Sequence, residues 1–408
     1  MKIAIVTTWF ERGAAYVSKQ MADVLEQCGH EVFIYARGGE HVEAVSEPWS
    51  SYRVSQDPTP RLPMPTGMNR KCFERFIQAN QIEVVLFNEQ RYWAPVLWAR
   101  SLGLKTIAYV DYYTEKTVPL FSAFDVLLCT TRRHYEAFSW HEGAEFVPWG
   151  TNTDLFVPST DDRTRPLVRF FHSAGMNPHR KGTDLLLQAA VLLHKASRPF
   201  SLFIHSQKPI EAQFPERKRD IDELTQAGVL EIFQGTIGAP GLYSTCDVYV
   251  YPSRLDGIGL TIAEALSCGL PVVTTNNPPM NEFIREGAGR LVDVERFENR
   301  GDNYYWPMSI ASISSLAEAM SYYIDNPFEL ASAAKFARNH ATENLNWQKN
   351  GLGVVAACEN SQILKLSDDR KIALIAVDKD TIPFYEQLKP LYDLAFSVVF
   401  AIQKRIKR

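Results

Sequence analysis

The chain has no apolar run approaching 18 residues, no Cys-x-x-Cys pair, no Gly-x-Gly-x-x-Gly string and no large surplus of charge of either sign. Each absence closes a route. Without a long apolar run no membrane-spanning helix is expected, and the opening MKIAIVTTWFERG is broken by Glu11 and Arg12 before it reaches the length of a signal peptide. The six cysteines (28, 72, 129, 246, 268 and 358) are scattered, so neither a zinc site nor a disulfide framework is expected, and a reduced, cytoplasmic setting fits. His134 and His141, with Trp140, show no metal-ligand spacing and read as helix-end and packing residues; no metal is expected. With 43 basic and 47 acidic residues the formal charge is −4, which argues against a nucleic-acid partner.

What is present is a globular composition, 46% hydrophobic and 22% charged, on a chain of 408 residues, longer than a single growing core supports. KIAIVTTWF (2–10) reads as a strand, AAYVSKQMADVLEQCGH carries Val17, Met21, Val24 and Leu25 at helical spacing, and HEVFIYA returns to strand. IEVVLFN (82–88), a helix-like stretch 92–102, KTIAYVD (105–111), FDVLLCTT (124–131) and AEFVPWG continue the alternation. The rhythm restarts after VPSTDDRTRP (157–166) with LVRFFHSAG, FSLFIHS, LEIFQG, CDVYVYP, PVVTTN and GRLVD.

The expectation is therefore α/β: two Rossmann-like, doubly wound domains facing across a cleft. They comprise a first domain over 1–156, a hinge at 157–166 and a second domain over 167–355, followed by an extension over 356–408. PTPRLPMPTG (58–67) reads as an exposed proline-rich loop. The tail from Leu391 has helical apolar spacing, a nine-residue uncharged run from Leu394 to Ile402, and four basic residues in its last five. Two readings stand: a final docked helix, and a basic helix lying on an anionic membrane surface.

The stretch YPSRLDGIGLTIAEALSCGLPVV (251–273) carries the densest chemistry. Gly257 and Gly259 let the backbone approach a ligand, and a helix starting near Thr261 points free amides at the same place. Asp256 can accept hydrogen bonds from sugar hydroxyls, and Glu264, eight positions on, can hold the diol of a ribose. Two plainer readings compete: TIAE (261–264) matches a capping box, and Asp256 before Gly257 matches a turn.

The whole string resembles the donor site of the retaining GT-B glycosyltransferases of family 4, which have an acid, seven residues and a glutamate between a Pro-Ser strand end and a small-Cys-Gly-x-Pro turn. The family usually has Glu where this chain has Asp256. SAGMNPHRKGTDLLLQAAVLL (173–193) is similar to the family's strand, loop, basic pair and helix, which implies that Arg180 and Lys181 grip the donor diphosphate. ERGAAYVSKQMADVLEQCGHEV is similar to its first loop and helix, which places Gly13 and Ala14 near the donor phosphates. VPWGTNTDLFVP looks like its interdomain segment, and FQGTIGAPGLYSTCDVYVYPS like the strand and loop that edge the base near Gly235 and Ile237.

The resemblance spans roughly residues 1–355 and implies that the domain over 1–156 binds acceptor and that over 167–355 binds donor. It implies a retaining, metal-independent hexosyltransferase with no cofactor beyond its UDP- or GDP-linked donor sugar, acting on a glycan, lipid-linked or other hydroxyl acceptor in polysaccharide or glycoconjugate synthesis, with Gly257, Ile258 and Gly259 against the transferred sugar. Many relatives carry a His after the fourth strand; this chain has Val110 and Asp111. Asp111 could orient or deprotonate an acceptor hydroxyl, or serve only as a strand-end cap. Tyr92, Trp93, Tyr112 and Tyr113 could stack on an acceptor sugar or simply pack. Two other activities fit the same scaffold: a catalytically silent sugar-nucleotide-binding subunit of an assembly complex, and a sugar-nucleotide epimerase.

Overall fold

The computed structural model describes residues 1–9, 13–38, 49, 51–60, 66–159 and 166–381. The tail from Leu391 and most of the 157–166 segment lie outside the described residues. The first unit holds strands β1 (Lys2–Thr7), β2 (Glu31–Gly38), β3 (Arg53–Pro60), β4 (Val84–Asn88), β5 (Lys105–Tyr109), β6 (Val126–Cys129) and β7 (Ala144–Phe146). Its helices are α1 (Gly13–Gln27), α2 (Arg70–Asn80), α3 (Ala94–Ser101) and α4 (Arg132–Phe138). The strands form one parallel sheet in the order β3-β2-β1-β4-β5-β6-β7. Apolar strands such as IAIV and VVLF are buried on both faces because helices cover both sides of such a sheet.

The second unit repeats the design with β8 (Arg169–Gly175), β9 (Ser201–Ser206), β10 (Leu230–Gln234), β11 (Val248–Tyr251), β12 (Val272–Thr275) and β13 (Gly289–Val292) in the order β10-β9-β8-β11-β12-β13, also parallel. Helices α5 (Thr183–Lys195), α6 (Ile210–Gln213), α7 (Lys218–Gln226), α8 (Leu260–Ser267) and α9 (Ile313–Asp325) accompany it. All six strands expected in this half are present. A short antiparallel hairpin, β14 (Val294–Glu298) and β15 (Met308–Ala311), was not legible as a strand pair.

The strand order reverses between β1 and β4, and again between β8 and β11, so each sheet opens a crevice at the carboxyl ends of those strands. In the first unit a buried polar link fixes the crevice. The Ser18 hydroxyl donates to Thr7 Oγ1 (2.8 Å), and the Asn88 amide donates to Ser18 Oγ (2.7 Å) and to the carbonyl of Ala14 (2.8 Å), tying the start of α1 to the ends of β1 and β4.

Helices α10 (Pro327–Asn344), α11 (Trp347–Asn350), α12 (Leu352–Asn360) and α13 (Asp368–Thr381) lead from the second unit back to the first. Trp347 packs against Trp149 with ring centroids 4.2 Å apart and planes tilted by 35°, and its indole N–H donates to the carbonyl of Gln20 (2.8 Å), while Leu366 and Leu374 enter the first unit's core. The Asp378 carboxylate accepts from the amides of Trp93 (3.0 Å) and Ala94 (2.8 Å), capping α3, which has no cap of its own. Glu282 does the same from the second unit for α4, through the amides of Arg132 and Arg133 (2.6 and 3.0 Å).

One sequence expectation is corrected here. Pro58 to Pro60, read as the start of a loop, belong to β3, because β3 is the sheet edge, where a missing N–H costs no ladder bond.

Candidate functional site

Between the two crevices lies a cleft of about 550 Å³, lined from one side by Thr8, Gly13, Ala14, Glu89, Arg91, Asp111 and Tyr112, and from the other by Arg180, Lys181, Asp256, Gly257, Ile258 and Thr261. Of the residues singled out from sequence, Gly13, Ala14, Asp111, Arg180, Lys181, Asp256, Gly257 and Ile258 line it together.

The second unit's wall is made by two loops locked to one another. Gly182 has φ of 74°, and a β-carbon there would lie 2.0 Å from the carbonyl oxygen of Pro252, so glycine is what lets the loop after β8 dock on the loop after β11. Arg254 grips Asp184 at the start of α5 with two parallel bonds of 2.7 Å, and its own amide donates to the carbonyl of Arg180 (2.8 Å). The basic pair therefore sits on a rigid support.

Asp256 is the hub of that wall. Its Oδ2 accepts from Lys181 Nζ (2.7 Å) and from the Tyr251 hydroxyl, and its Oδ1 faces Arg180 Nη1 (3.3 Å) and accepts from the amide of Gly257 (3.0 Å). Burial would raise its pKa, but the charges of Lys181 and Arg180, with hydrogen bonds from Lys181 and Tyr251, hold it far below the ordinary carboxylate value. Burial, then the neighbouring Arg180 charge, bring the Lys181 ammonium down to about 8 against the opposing pull of Asp256. Two cations and one permanent anion thus leave a net positive wall suited to a diphosphate.

Helix α8 begins at Leu260 with Gly259 as its N-cap in the left-handed region (φ 69°), so its first amides open toward the cleft at Leu260 and Thr261. That start corrects the capping-box alternative. Thr261 is inside the helix, and Glu264 is too far along to reach back to a cap. The Glu264 carboxylate instead accepts from the Tyr243 hydroxyl (2.6 Å); burial raises its pKa against the pull of that bond and of Lys181. Glu264 and Gly259 are not among the cleft-lining residues. Gly235 and Ile237 also stand apart, on the loop after β10. There the Gly235 amide donates to the carbonyl of Ser206 (3.0 Å), and its carbonyl lies 2.9 Å from His205 Nε2.

The first unit's wall holds Asp111 just past β5 and Glu89 just past β4, on neighbouring strands. Burial first, then the Glu89 charge and a hydrogen bond to it, then Asp256, push the Asp111 carboxyl up to about 8. Glu89 itself is held at φ 54°, a strained backbone for a residue with a side chain. Asp111 Oδ1 lies against Gly257 of the opposite wall, 2.2 Å from where a β-carbon would be.

Sequence reasoning missed Glu89, Arg91, Tyr251, Arg300 and Tyr304, all of which line or support the cleft. The one available signal was position: FNEQR follows the strand at the switch point. Of the aromatics read as possible stacking groups, Trp93 and Tyr113 are core residues and Tyr112 lines the cleft. Among the described residues no three His, Cys, Asp or Glu side chains gather as a metal cage, and no helix is long and apolar enough to cross a membrane.

Residues 168–301 match the family described as glycosyl transferases group 1. The chain is 26% identical over 366 residues to the GDP-mannose-dependent alpha-(1-6)-phosphatidylinositol monomannoside mannosyltransferase of Mycolicibacterium smegmatis, covering 79% of this chain and 88% of that one. Among solved structures it is similar to a sucrose-phosphate synthase from Thermosynechococcus elongatus, with a TM-score of 0.68 at 18% identity over 87% of this chain and 97% of that one. It is also similar to HepE from Anabaena in complex with UDP and glucose, with a TM-score of 0.67 at 15% identity over 88% of this chain and 100% of that one. The two facing parallel-sheet units are the GT-B fold, and the resemblance to the family 4 enzymes holds.

Proposed function

We propose that this chain, a family 4-like glycosyltransferase of the GT-B fold, moves a mannosyl or glucosyl residue from a nucleotide diphosphate sugar to a hydroxyl of a glycan or lipid-linked acceptor, with retention at the anomeric carbon. The observation that carries this reading is the Asp256 cluster facing Asp111 across one cleft: paired cations, a buried anion and free helix amides on one wall, a carboxyl on the other. Arg180 and Lys181 receive the charge that develops on the diphosphate as the glycosidic bond breaks. Asp256 keeps both cations oriented and, by yielding one of its hydrogen bonds, takes a hydroxyl of the transferred sugar. Gly257 and Ile258 bring main chain to the sugar, Glu264 holds the ribose, Gly235 and Ile237 edge the base, and Gly13 and Ala14 close on the phosphates from the first unit.

Asp111, on the acceptor side, orients the attacking hydroxyl. No sequence motif marks a covalent carboxylate nucleophile, so on this reading attack comes from the face that the leaving phosphate vacates, and that phosphate takes the hydroxyl proton. The basic pair does the work a metal does in other transferases, so turnover proceeds in chelator.

GDP-mannose is the first donor to test, since the mycolicibacterial relative is GDP-mannose-dependent by name, with UDP-glucose second because HepE is held with UDP and glucose. A lipid-linked acceptor would bring the protein to a membrane, with the basic tail from Leu391 as the segment that holds it there. Deleting that tail should then abolish binding to anionic vesicles.

The direct test is calorimetric binding of UDP- and GDP-sugars in the presence of chelator, followed by NMR of the anomeric centre in the slowly hydrolysed sugar. Selective binding with release of the retained anomer is expected. Binding of none of the panel, or release of the inverted anomer, would overturn the reading.

A further inference from the structure

The donor machinery leaves one part of the cleft unexplained. The hairpin β14–β15 belongs to the second unit, yet the residues between its strands reach across to the first. The Tyr112 hydroxyl donates to the carbonyl of Asp302 (3.1 Å), the Tyr305 amide to the carbonyl of Tyr113 (2.9 Å), the Trp306 indole N–H to the Tyr113 hydroxyl (2.7 Å), and the Tyr304 hydroxyl to the carbonyl of Asp111 (3.1 Å). These bonds make a strap between the two units that contributes Arg300 and Tyr304 to the cleft.

The strap carries a stack of rings and guanidiniums. Tyr304 lies nearly parallel to Tyr112, with centroids 5.3 Å apart and planes at 23°. The Arg91 guanidinium sits 3.7 Å from the Tyr112 centroid, and that of Arg300 sits 5.0 Å from the Tyr304 centroid. All four residues line the cleft. A guanidinium held against a ring keeps its N–H donors at the edge, pre-ordered for an anion. Arg300 is further oriented by Asp302 (2.6 Å), while Arg91 makes no ion pair with a carboxylate among the described residues and its charge acts on the neighbouring Asp111. Because the two tyrosines cover one another and each carries an arginine, little ring face is left to stack on a sugar. The groups on offer to an incoming molecule are cationic edges. Arg180 and Lys181 are engaged by Asp256 and assigned to the donor, so this is a second positive locus in the same cleft.

We propose that this strap-built wall is an acceptor subsite for an anionic oxygen group, a phosphate or a carboxylate, carried close to the hydroxyl that receives the sugar, with Arg91 as its principal ligand and Arg300 as the second. The proposal rests on the glycosyltransferase reading. The Tyr304–Asp111 bond places the subsite beside the group that orients the attacking hydroxyl, so an acceptor anchored by its anion has its hydroxyl next to the transferred sugar.

The test uses the full chain saturated with GDP or UDP, which occupies the donor phosphate site. Inorganic phosphate, glucose 6-phosphate and glucuronate are titrated by calorimetry, and phosphatidylcholine vesicles doped with phosphatidylinositol are tested by flotation. Arg91→Gln, Arg300→Gln and Arg91→Lys are compared with the wild type, each checked for unchanged thermal unfolding. Binding of a soluble anion that weakens about ten- to a hundredfold in Arg91→Gln, the span of a hydrogen-bonded charge pair, supports the subsite, with partial retention in Arg91→Lys. Arg91-dependent binding seen only with the doped vesicles supports it and assigns the anion to a lipid headgroup. No binding of any probe, or binding indifferent to both arginines, overturns it. If the wild type binds no nucleotide at all, the failure lies with the donor reading instead.

Discussion

The Asp111 carboxylate, on the first unit, lies so close to Gly257 of the second that a β-carbon at 257 would stand 2.2 Å from its Oδ1. Glycine at that position is thus a condition of closing the cleft, and the need comes from the opposite wall as much as from the ligand. Gly257→Ala should force the carboxyl to turn away, at a cost of about 1–3 kcal/mol for overpacking. A fall of roughly tenfold or more in kcat/KM for sugar transfer is expected. In an Asp111→Ala background the further effect of Gly257→Ala should be much smaller, and additive losses in that double-mutant cycle would contradict the contact.

Asp256 holds two cations together, and its carboxyl stays ionised far below the ordinary value. Asp256→Ala should cost about 3 kcal/mol of stability, measured by urea unfolding, because Arg180 and Lys181 are left as adjacent unpaired charges. Free diphosphate should restore part of that loss by binding in the carboxylate's place, while sugar transfer collapses. Since the folded pKa is depressed, the wild type's stability from this cluster is fully present above the ordinary value of 3.8 and is lost as pH falls below it. The variant should lack that acid-side decline.

Two groups in the cleft titrate near the same point, with the same sign for donor binding. Below about 8 Lys181 keeps its charge and Asp111 its proton; above it the cleft loses a cation and gains an anion. Affinity for a nucleotide sugar should therefore be level on the acid side of about 8 and weaken above it, by about tenfold per pH unit for each linked proton. Lys181→Arg should remove one of the two steps. Calorimetry across pH checks both, and an affinity that rises with pH would contradict the assignment.

The Asp378 carboxylate caps α3 from a helix 284 residues further along the chain. Asp378→Ala should lower stability by about 1 kcal/mol, the usual worth of a helix cap, and should increase hydrogen exchange at the start of α3. Unchanged exchange there would show that α13 docks without this bond.

Much of the fold was legible because it is written locally. Helical spacing at Val17, Met21, Val24 and Leu25 produced the buried face of α1, and the six apolar runs of the second half became six parallel strands. The second unit's wall of the cleft was legible for the same reason. Arg180 and Lys181 are adjacent, and Asp256, Gly257 and Ile258 are contiguous, so each short segment carries a recognisable chemical pattern. The capping-box alternative at Thr261 failed because Gly259 adopts a left-handed conformation and starts α8 earlier than the polar residue suggests.

The sequence by itself determined the two-unit α/β architecture, and it marked a cationic loop at Arg180 and Lys181 and an acid-glycine loop at Asp256 and Gly257, because strand and helix periodicity and short-range spacing are local properties. Only the tertiary structure decided that Asp111 meets Gly257, that Glu89 lies beside Asp111, and that the strap around Tyr304 crosses between units. Those contacts join segments 22 to 193 residues apart. Their partners are chosen by how two folded sheets pack across a cleft, and nothing in the local pattern of either segment records the other.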